Sequence, residues 1–336
     1  MQKKRVAVSV LNYNSWKETI SCLDSLLDQT YNDYKIILID NGSVDDSVSK
    51  ITEYLRKHNI QHRILVAKNG QITPVPENHI ESTKVFFILS DDNLGFAGGH
   101  NMGARFATDV LGADYVFILN NDVVLGKDTV EALVRCAERT GVAVIQPTVI
   151  ELRDRMEKPW NALLKLKHLL LKTARKAENR RHNCTSGAAF MVRKDVIENI
   201  GLFDENLFLY YEDTDFFQRV YEKYSGCYVA PNIKVYHKGS RSSGGRLSPI
   251  VVYYTARNGI YFFKKHYKCA YSTVKIIINI FLIEHIKRYI HTILNRNLNI
   301  LKYYYIGIRD AALGRYGRRA DLHIECVGKK RARKKQ

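Results

Sequence analysis

Short apolar runs alternate with helix-length amphipathic stretches through the first 150 residues, and this alternation constrains the fold more than any other feature. Runs rich in β-branched and aromatic residues at 5–11, 35–39, 62–66, 85–89, 115–119 and 142–146 read as strands. Residues 16–27, 46–58, 98–108 and 129–139 carry helical patterning between them. The strand runs are almost continuously hydrophobic, as strands covered on both faces must be. An α/β fold follows, built on a mainly parallel sheet with helices on both sides. Ligands of such sheets gather beyond the carboxyl ends of the strands. Three polar clusters stand at those ends: Asn12-Tyr13-Asn14, Asp40-Asn41-Gly42-Ser43 and Asn120-Asn121-Asp122.

At 336 residues the chain has room for one large domain with an appendage, or for two domains. Two regions are expected: residues 1–245, an α/β domain with a basic amphipathic insert at 153–181, and residues 246–336, a helical, Tyr-rich and basic C-terminal region. Six cysteines show no CxxC pair, which predicts reduced thiols in a cytoplasmic setting and argues against a zinc site. The N-terminus reads as a first strand and not a signal peptide. The longest late apolar run, residues 276–283, is far short of the ~20 residues a membrane span needs.

Charge is the second strong feature. The net value is +18, and residues 301–336 hold eleven Lys/Arg against three acids while residues 153–181 hold ten against three. Within the second block Trp160, Leu163, Leu164, Leu170, Leu171, Ala174 and Ala177 fall at helical spacing. The pattern is that of a basic amphipathic helix suited to an anionic membrane surface. Nucleic acid is the other polyanion to weigh, but the basic runs have few interleaved aromatics, so no nucleic-acid partner is expected.

Four segments carry candidate chemistry. Asp40 stands at a strand tip where it can accept from a base or ribose, while Ser43 and Asp46 have capping-box spacing for the helix that follows. Residues 92–101 join a strand to a helix through three glycines, which permits close approach of the backbone to a ligand. Asn120, Asn121 and Asp122 are oxygen donors of the kind Mg²⁺ or Mn²⁺ prefers, and His237 is a possible further ligand. A single charged carboxylate is too little for a cage made by protein alone. Glu212, Asp213 and Asp215 follow the aromatic run at residues 208–211; acids there either cap a helix or serve as a general base.

Taken together, SVLNYN, LIDNGSVDDS, DNLGFAGGHNMG, LNNDV, SGAAFMVRKDVIENIGLFDENLFLYYEDTDFFQR, YHKGS and YYTARN run in collinear order from about residue 6 to 258. The series resembles the inverting glycosyltransferases of family two, which have the GT-A fold, and within them the bacterial rhamnosyltransferase-like branch. The resemblance implies that Asn12 and Asp40 hold the donor nucleoside, and that Asn93, Gly95, Asn101, Asn120 and Asn121 line the donor pocket. It implies Asp122 and His237 as ligands of a metal–diphosphate. Asp213 would be the base, with Glu212 beside it and Asp215 and Arg257 in support. Asn120 replaces the first acid of the family's DxD motif, which loosens the expected Mg²⁺ or Mn²⁺ requirement.

The function expected on this basis is transfer of a sugar from dTDP-rhamnose or a UDP-sugar to a lipid-linked saccharide acceptor. Its setting would be the synthesis of bacterial surface polysaccharide, in the cytoplasm and peripheral on the inner face of the membrane. The alternative is a non-catalytic subunit that binds sugar nucleotide, which would bind donor without turnover.

Overall fold

The computed structural model describes residues 3–152, 184, 186–224, 226–239, 248–266 and 299–322. The insert read as an amphipathic helix, the apolar run at 276–283 and the end of the basic C-terminal region lie outside those residues. The chain divides into two compact units, one formed by Met1–Asp204 with Asp213–Ser240 and the other by Glu205–Glu212 with Arg241–Gln336.

The first unit is built on a ten-stranded sheet. Its strands are β1 (Val6–Asn12), β2 (Tyr34–Asp40), β3 (His62–Lys68), β4 (Gln71–Ile72), β5 (Val85–Ser90), β6 (Tyr115–Asn120), β7 (Val123–Leu125), β8 (Val144–Glu151), β9 (Ala189–Arg193) and β10 (Tyr228–His237). They lie in the order β4-β3-β5-β2-β1-β6-β9-β8-β10-β7. The five strands from β3 to β6 are mutually parallel; β9 runs against both its neighbours, and β10 is parallel to β8.

Alternation along each strand sends side chains to two cores. Val6, Val8, Val10, Ile36, Leu38, Val85 and Phe87 enter one, while Ala7, Ile37, Ile39, Phe86 and Ile88 enter the other. Both faces are therefore dry, as the continuous apolar runs required. Helices α1 (Trp16–Leu27), α2 (Ser47–Lys57), α3 (Gly95–Arg105), α4 (Thr129–Thr140), α5 (Lys194–Ile200) and α6 (Glu212–Tyr224) follow in chain order.

Four expectations need correction. Helix α3 begins at Gly95 and not at residue 98, so the glycines belong to the helix. Gly99 and Gly103 serve packing: a Cβ would stand 2.5 Å from Leu11 Cδ1 at the first and 2.7 Å from Ile39 Cδ1 at the second. The capping box does not form, because the Ser43 hydroxyl accepts from Asn14 N–H and Asn12 Nδ2, and Asp46 makes no side-chain cap bond. Strand β8 runs on through Pro147 to Glu151, since the β10 register shifts between Ala230 and Lys234, opposite the proline. Finally, Cys184 and Cys227 are joined as a disulfide, with Cα atoms 5.7 Å apart, while Cys22 and Cys136 are buried thiols. Folding brings two distant segments together there, and linear spacing carries no sign of it.

The second unit packs α7 (Pro249–His266) against α8 (Asn299–Ala312) around Phe208, Val252, Tyr253, Tyr254, Ile300, Tyr303 and Tyr304. The helices approach closely at Gly307, where a Cβ would lie 2.6 Å from the Tyr253 carbonyl oxygen. Its segment 205–212 is unusual: Phe208, Tyr210 and Tyr211 all adopt left-handed φ values of 54°, 68° and 74°. Asn258, fully buried, donates from Nδ2 to the carbonyls of Leu207 (2.6 Å), Leu209 (2.9 Å) and Tyr210 (2.8 Å). Arg257 donates to Gly317 O (2.6 Å), Asn206 O (3.2 Å) and Asn258 Oδ1 (2.8 Å). That pair holds the segment's backbone. Among the described residues no helix is long and apolar enough to cross a membrane.

Candidate active site

Strand register assembles the polar clusters. Asn12 on β1 pairs with Asp40 on β2, and Leu11 pairs with Asn120 on β6, so all three clusters share the carboxyl edge of the sheet. One hydrogen-bonded chain joins them. Asn121 Nδ2 donates to Thr19 Oγ1 (2.8 Å), and Thr19 Oγ1 donates to Asn12 Oδ1 (2.7 Å). Asn12 Nδ2 then donates to Asp40 Oδ2 (2.7 Å), and Asp40 Oδ1 accepts the Ser43 N–H (2.9 Å). Asn12 and Asp40 are buried. Their polar atoms fix the shape of the strand ends.

Beyond β5 a second knot forms around Asn41, the neighbour of Asp40 in the strand-end cluster. Asn41 Nδ2 donates to Asn93 Oδ1 (3.1 Å) and Gly95 O (3.0 Å), and its Oδ1 accepts the Leu94 N–H (3.0 Å). Asn93 and Gly95 are thereby locked at the mouth of α3. Asn101, one turn and a half further on, is committed to the Phe203 backbone, donating to its carbonyl and accepting its N–H, both at 2.9 Å.

The next corner is built by β6, β7, β8 and β10. His237 pairs with Val123 across one ladder and with Glu151 across the other. Its Nε2 lies 3.0 Å from Asp122 Oδ1 and its Nδ1 lies 2.6 Å from Glu151 Oε1. Burial lowers the imidazole pKa, but the hydrogen bonds and charges of Asp122 and Glu151 outweigh it, and the net result is a rise to about 9. Nearby in sequence, Asn120 Oδ1 is a buried acceptor with no hydrogen-bond partner among the described residues. The Asp122 carboxylate and the His237 imidazole, 3.0 Å apart, are donors of the kind that suits Mg²⁺ or Mn²⁺ carrying diphosphate and water, and Asn120 stands two residues before Asp122 in the chain. No group of three His, Cys, Asp or Glu side chains among the described residues makes a self-contained cage.

The three acids of the opening turn of α6 are placed differently. Asp215 is fully buried and accepts from Arg219 Nε (2.8 Å), one turn on, while Arg219 Nη2 reaches the Leu202 carbonyl (2.6 Å). Glu212 is buried as well. Asp213 is half-buried: its Oδ2 accepts the Gly187 N–H (3.0 Å), and its Oδ1 accepts from Thr214 N (2.6 Å) and Oγ1 (3.0 Å). Gly187 is next to Ala188, whose carbonyl accepts the Asn120 N–H at 2.8 Å. Asp213 is therefore anchored one residue away from the strand that ends in Asn120. Thr19, Glu151 and Gly187 are site residues with no role legible in the sequence, and Asn41 was visible only as a member of the strand-end cluster.

The mixed, mainly parallel sheet with its polar residues at the carboxyl edge has the GT-A-like fold of solved glycosyltransferases. The chain belongs to glycosyl transferase family 2, whose family model matches residues 7–201. Among curated relatives it is 24% identical over 247 residues to the dTDP-rhamnosyl transferase RfbF of Shigella flexneri, covering 70% of this chain and 81% of that one. It is 29% identical over 140 residues to the low-salt glycan biosynthesis hexosyltransferase Agl10 of Haloferax volcanii, a match that spans 40% of this chain and only 46% of the relative. Among solved structures, the mannosyltransferase PcManGT of Pyrobaculum calidifontis, in complex with GDP-Man and Mn²⁺, superposes with a TM-score of 0.53 at 16% identity, covering 99% of this chain and 81% of that one. TarS residues 1–349 of S. aureus, in complex with UDP-GlcNAc, gives 0.55 at 15% identity, covering 91% and 80%. At such identity these two structures speak for the fold.

Proposed function

We propose that this glycosyltransferase moves a sugar with inversion from a nucleoside diphosphate donor, dTDP-rhamnose in the leading reading and a UDP-sugar otherwise, to a hydroxyl of a lipid-linked saccharide. The observation that carries the reading is the anchoring of Asp213 by Gly187 beside the strand end that bears Asn120. Inverting transfer needs a base on the acceptor side and neutralisation of charge on the leaving group, with no covalent sugar–enzyme intermediate. Asp213 takes the proton of the acceptor hydroxyl as that oxygen bonds to the anomeric carbon. The bond from that carbon to the diphosphate oxygen breaks, and its electron pair leaves with the nucleoside diphosphate. Hydrogen bonds from Gly187 and Thr214 orient the carboxylate for this one proton transfer.

Asp122 and His237, with Asn120 Oδ1, are the groups that would hold Mg²⁺ or Mn²⁺, which when bound supplies positive charge to the departing diphosphate. Asn12, Asp40, Asn93, Gly95, Asn101 and Asn121 are assigned to shaping the donor pocket, the first two through the strand-end chain. Support for rhamnose is the match to the Shigella protein, which extends over most of both chains. The basic segments at 153–181 and 301–336 favour an anionic membrane surface on the cytoplasmic side, as a lipid-linked acceptor requires.

The test combines a donor screen with a base substitution. Thermal shift with dTDP- and UDP-sugars, each with Mg²⁺ or Mn²⁺, identifies the donor by the size of the shift. With that donor, Asp213→Asn should abolish transfer while nucleotide binding stays close to wild type. Full activity in the variant would remove Asp213 from the mechanism.

A further inference from the structure

Glu151 belongs to no polar cluster visible in the sequence, yet the sheet places it with care. It is the last residue of β8 and the register partner of His237 on β10. That register exists only because β10 shifts between Ala230 and Lys234. The ladder closes on either side of the histidine: Leu152 N–H donates to His237 O (3.0 Å), and Lys238 N–H donates to Asp122 O (2.9 Å). With the backbone held at both flanks, the imidazole ring has its orientation left to set. Its two nitrogens meet two carboxylates, Nδ1 facing Glu151 Oε1 at 2.6 Å and Nε2 facing Asp122 Oδ1 at 3.0 Å.

We infer that Glu151 is a positioning residue that holds the Nδ1–H of His237 and so commits Nε2 to the divalent cation shared with Asp122. The inference rests on the reading of Asp122 and His237 as metal ligands. A ring nitrogen bound to a cation must present its lone pair, so the cation would take the place of the proton between Nε2 and Asp122 Oδ1 while the ring keeps its proton on Nδ1. A carboxylate accepting that proton fixes both the tautomer and the ring plane, and it makes Nε2 more basic toward the cation. The competing role is purely structural, with Glu151 only tying the edge of β8 to β10.

Mn²⁺ binding separates the two. Free Mn²⁺ is followed by electron paramagnetic resonance as it is titrated into the full chain, alone and with saturating dTDP, for the wild type, Glu151→Ala, Glu151→Gln and His237→Ala. Removing an outer-shell partner typically weakens metal binding about 10–100-fold, and Glu151→Ala should fall in that range. Glu151→Gln retains an acceptor oxygen and should bind Mn²⁺ more weakly than wild type but more tightly than His237→Ala. Adding Glu151→Ala to His237→Ala should change little, since Glu151 acts through the histidine. Affinity for dTDP without metal should be the same in all forms.

Unchanged Mn²⁺ affinity in Glu151→Ala, while His237→Ala weakens it, overturns the role of Glu151 and leaves the metal reading standing. So does a loss in Glu151→Ala that persists fully in the His237→Ala background. If Glu151→Ala does not fold, Glu151→Gln decides: affinity equal to wild type sinks the inference. No effect of His237→Ala, or no Mn²⁺ binding by the wild type in either condition, overturns both the metal reading and the role given to Glu151.

Discussion

The backbone N–H of Gly187 holds Asp213 Oδ2 at 3.0 Å, and a Cβ at position 187 would lie 2.9 Å from the Asp213 Cβ. The glycine thus both binds the carboxylate and makes room for its stem. A methyl group there pushes Asp213 away from the Gly187 N–H. Misplacement of a reacting group by about 1 Å can cost on the order of 100-fold in rate. Gly187→Ala should therefore lower kcat by at least roughly ten-fold while the donor Kd stays within about two-fold of wild type. Turnover at the wild-type rate would mean that Asp213 does not need this anchor.

The reach of the sequence can be judged from these same residues. Asn12, Asp40 and Asn120 were legible because each ends a continuous apolar run, and strand ends are where polar residues of a parallel sheet face ligands. Gly187 and Asp213 are 26 residues apart, and their contact depends on where β9 and α6 lie. Glu151 was hidden by Pro147, which reads as the end of a strand; only the shift in β10 lets β8 continue. The glycines near residue 98 read as a loop for a ligand, but their lack of a side chain serves contact with Leu11 and Ile39. Local pattern reveals elements, and pairing across the sheet decides which polar atoms meet.

Asn258 is the amide on which the left-handed segment depends. Its two N–H groups serve the carbonyls of Leu207, Leu209 and Tyr210, so one hydrogen is shared. Truncation removes all three of these hydrogen bonds from a backbone that already carries strain at Phe208, Tyr210 and Tyr211. Asn258→Ala should cost about 1–3 kcal/mol in denaturant unfolding. Asn258→Asp turns a donor into an anion facing carbonyl oxygens and should be no more stable than the alanine variant. A more stable aspartate variant would show that the amide donors are not what holds the segment.

Two glycines separate a contact with backbone from one with side chains. At Gly307 a Cβ would meet the Tyr253 carbonyl at 2.6 Å and the Arg257 nitrogen at 3.2 Å, atoms that move only if helix α7 moves. At Gly103 the obstacles are side-chain atoms, Ile39 Cδ1 and Ser9 Oγ, both at 2.7 Å, which can shift without moving a helix. Overpacking costs typically about 1–3 kcal/mol, and Gly307→Ala should lie at the upper end with Gly103→Ala below it. Unfolding free energies in denaturant give the order directly; a reversed order would place the tighter packing in the sheet.

His100 makes acid stability a test of burial. The ring is fully buried, its Nδ1 is 2.9 Å from Ser9 Oγ, and its Nε2 makes no hydrogen bond among the described residues. Phe96 and Phe203 present rings to it at centroid distances of 4.5 and 6.3 Å. Burial holds its pKa down at about 3, against 6.5 for an exposed histidine. Between those values the unfolded chain binds a proton that the folded chain refuses. Stability from this site is therefore complete above pH 6.5 and is lost progressively as the pH falls toward 3. Going from about pH 7 to pH 5 should cost the wild type on the order of 2 kcal/mol from this residue alone. His100→Gln carries no titrating group and should show a shallower decline over that interval, even if it is less stable at neutral pH. Parallel declines of wild type and variant in denaturant titrations at the two pH values would assign the acid sensitivity to other groups.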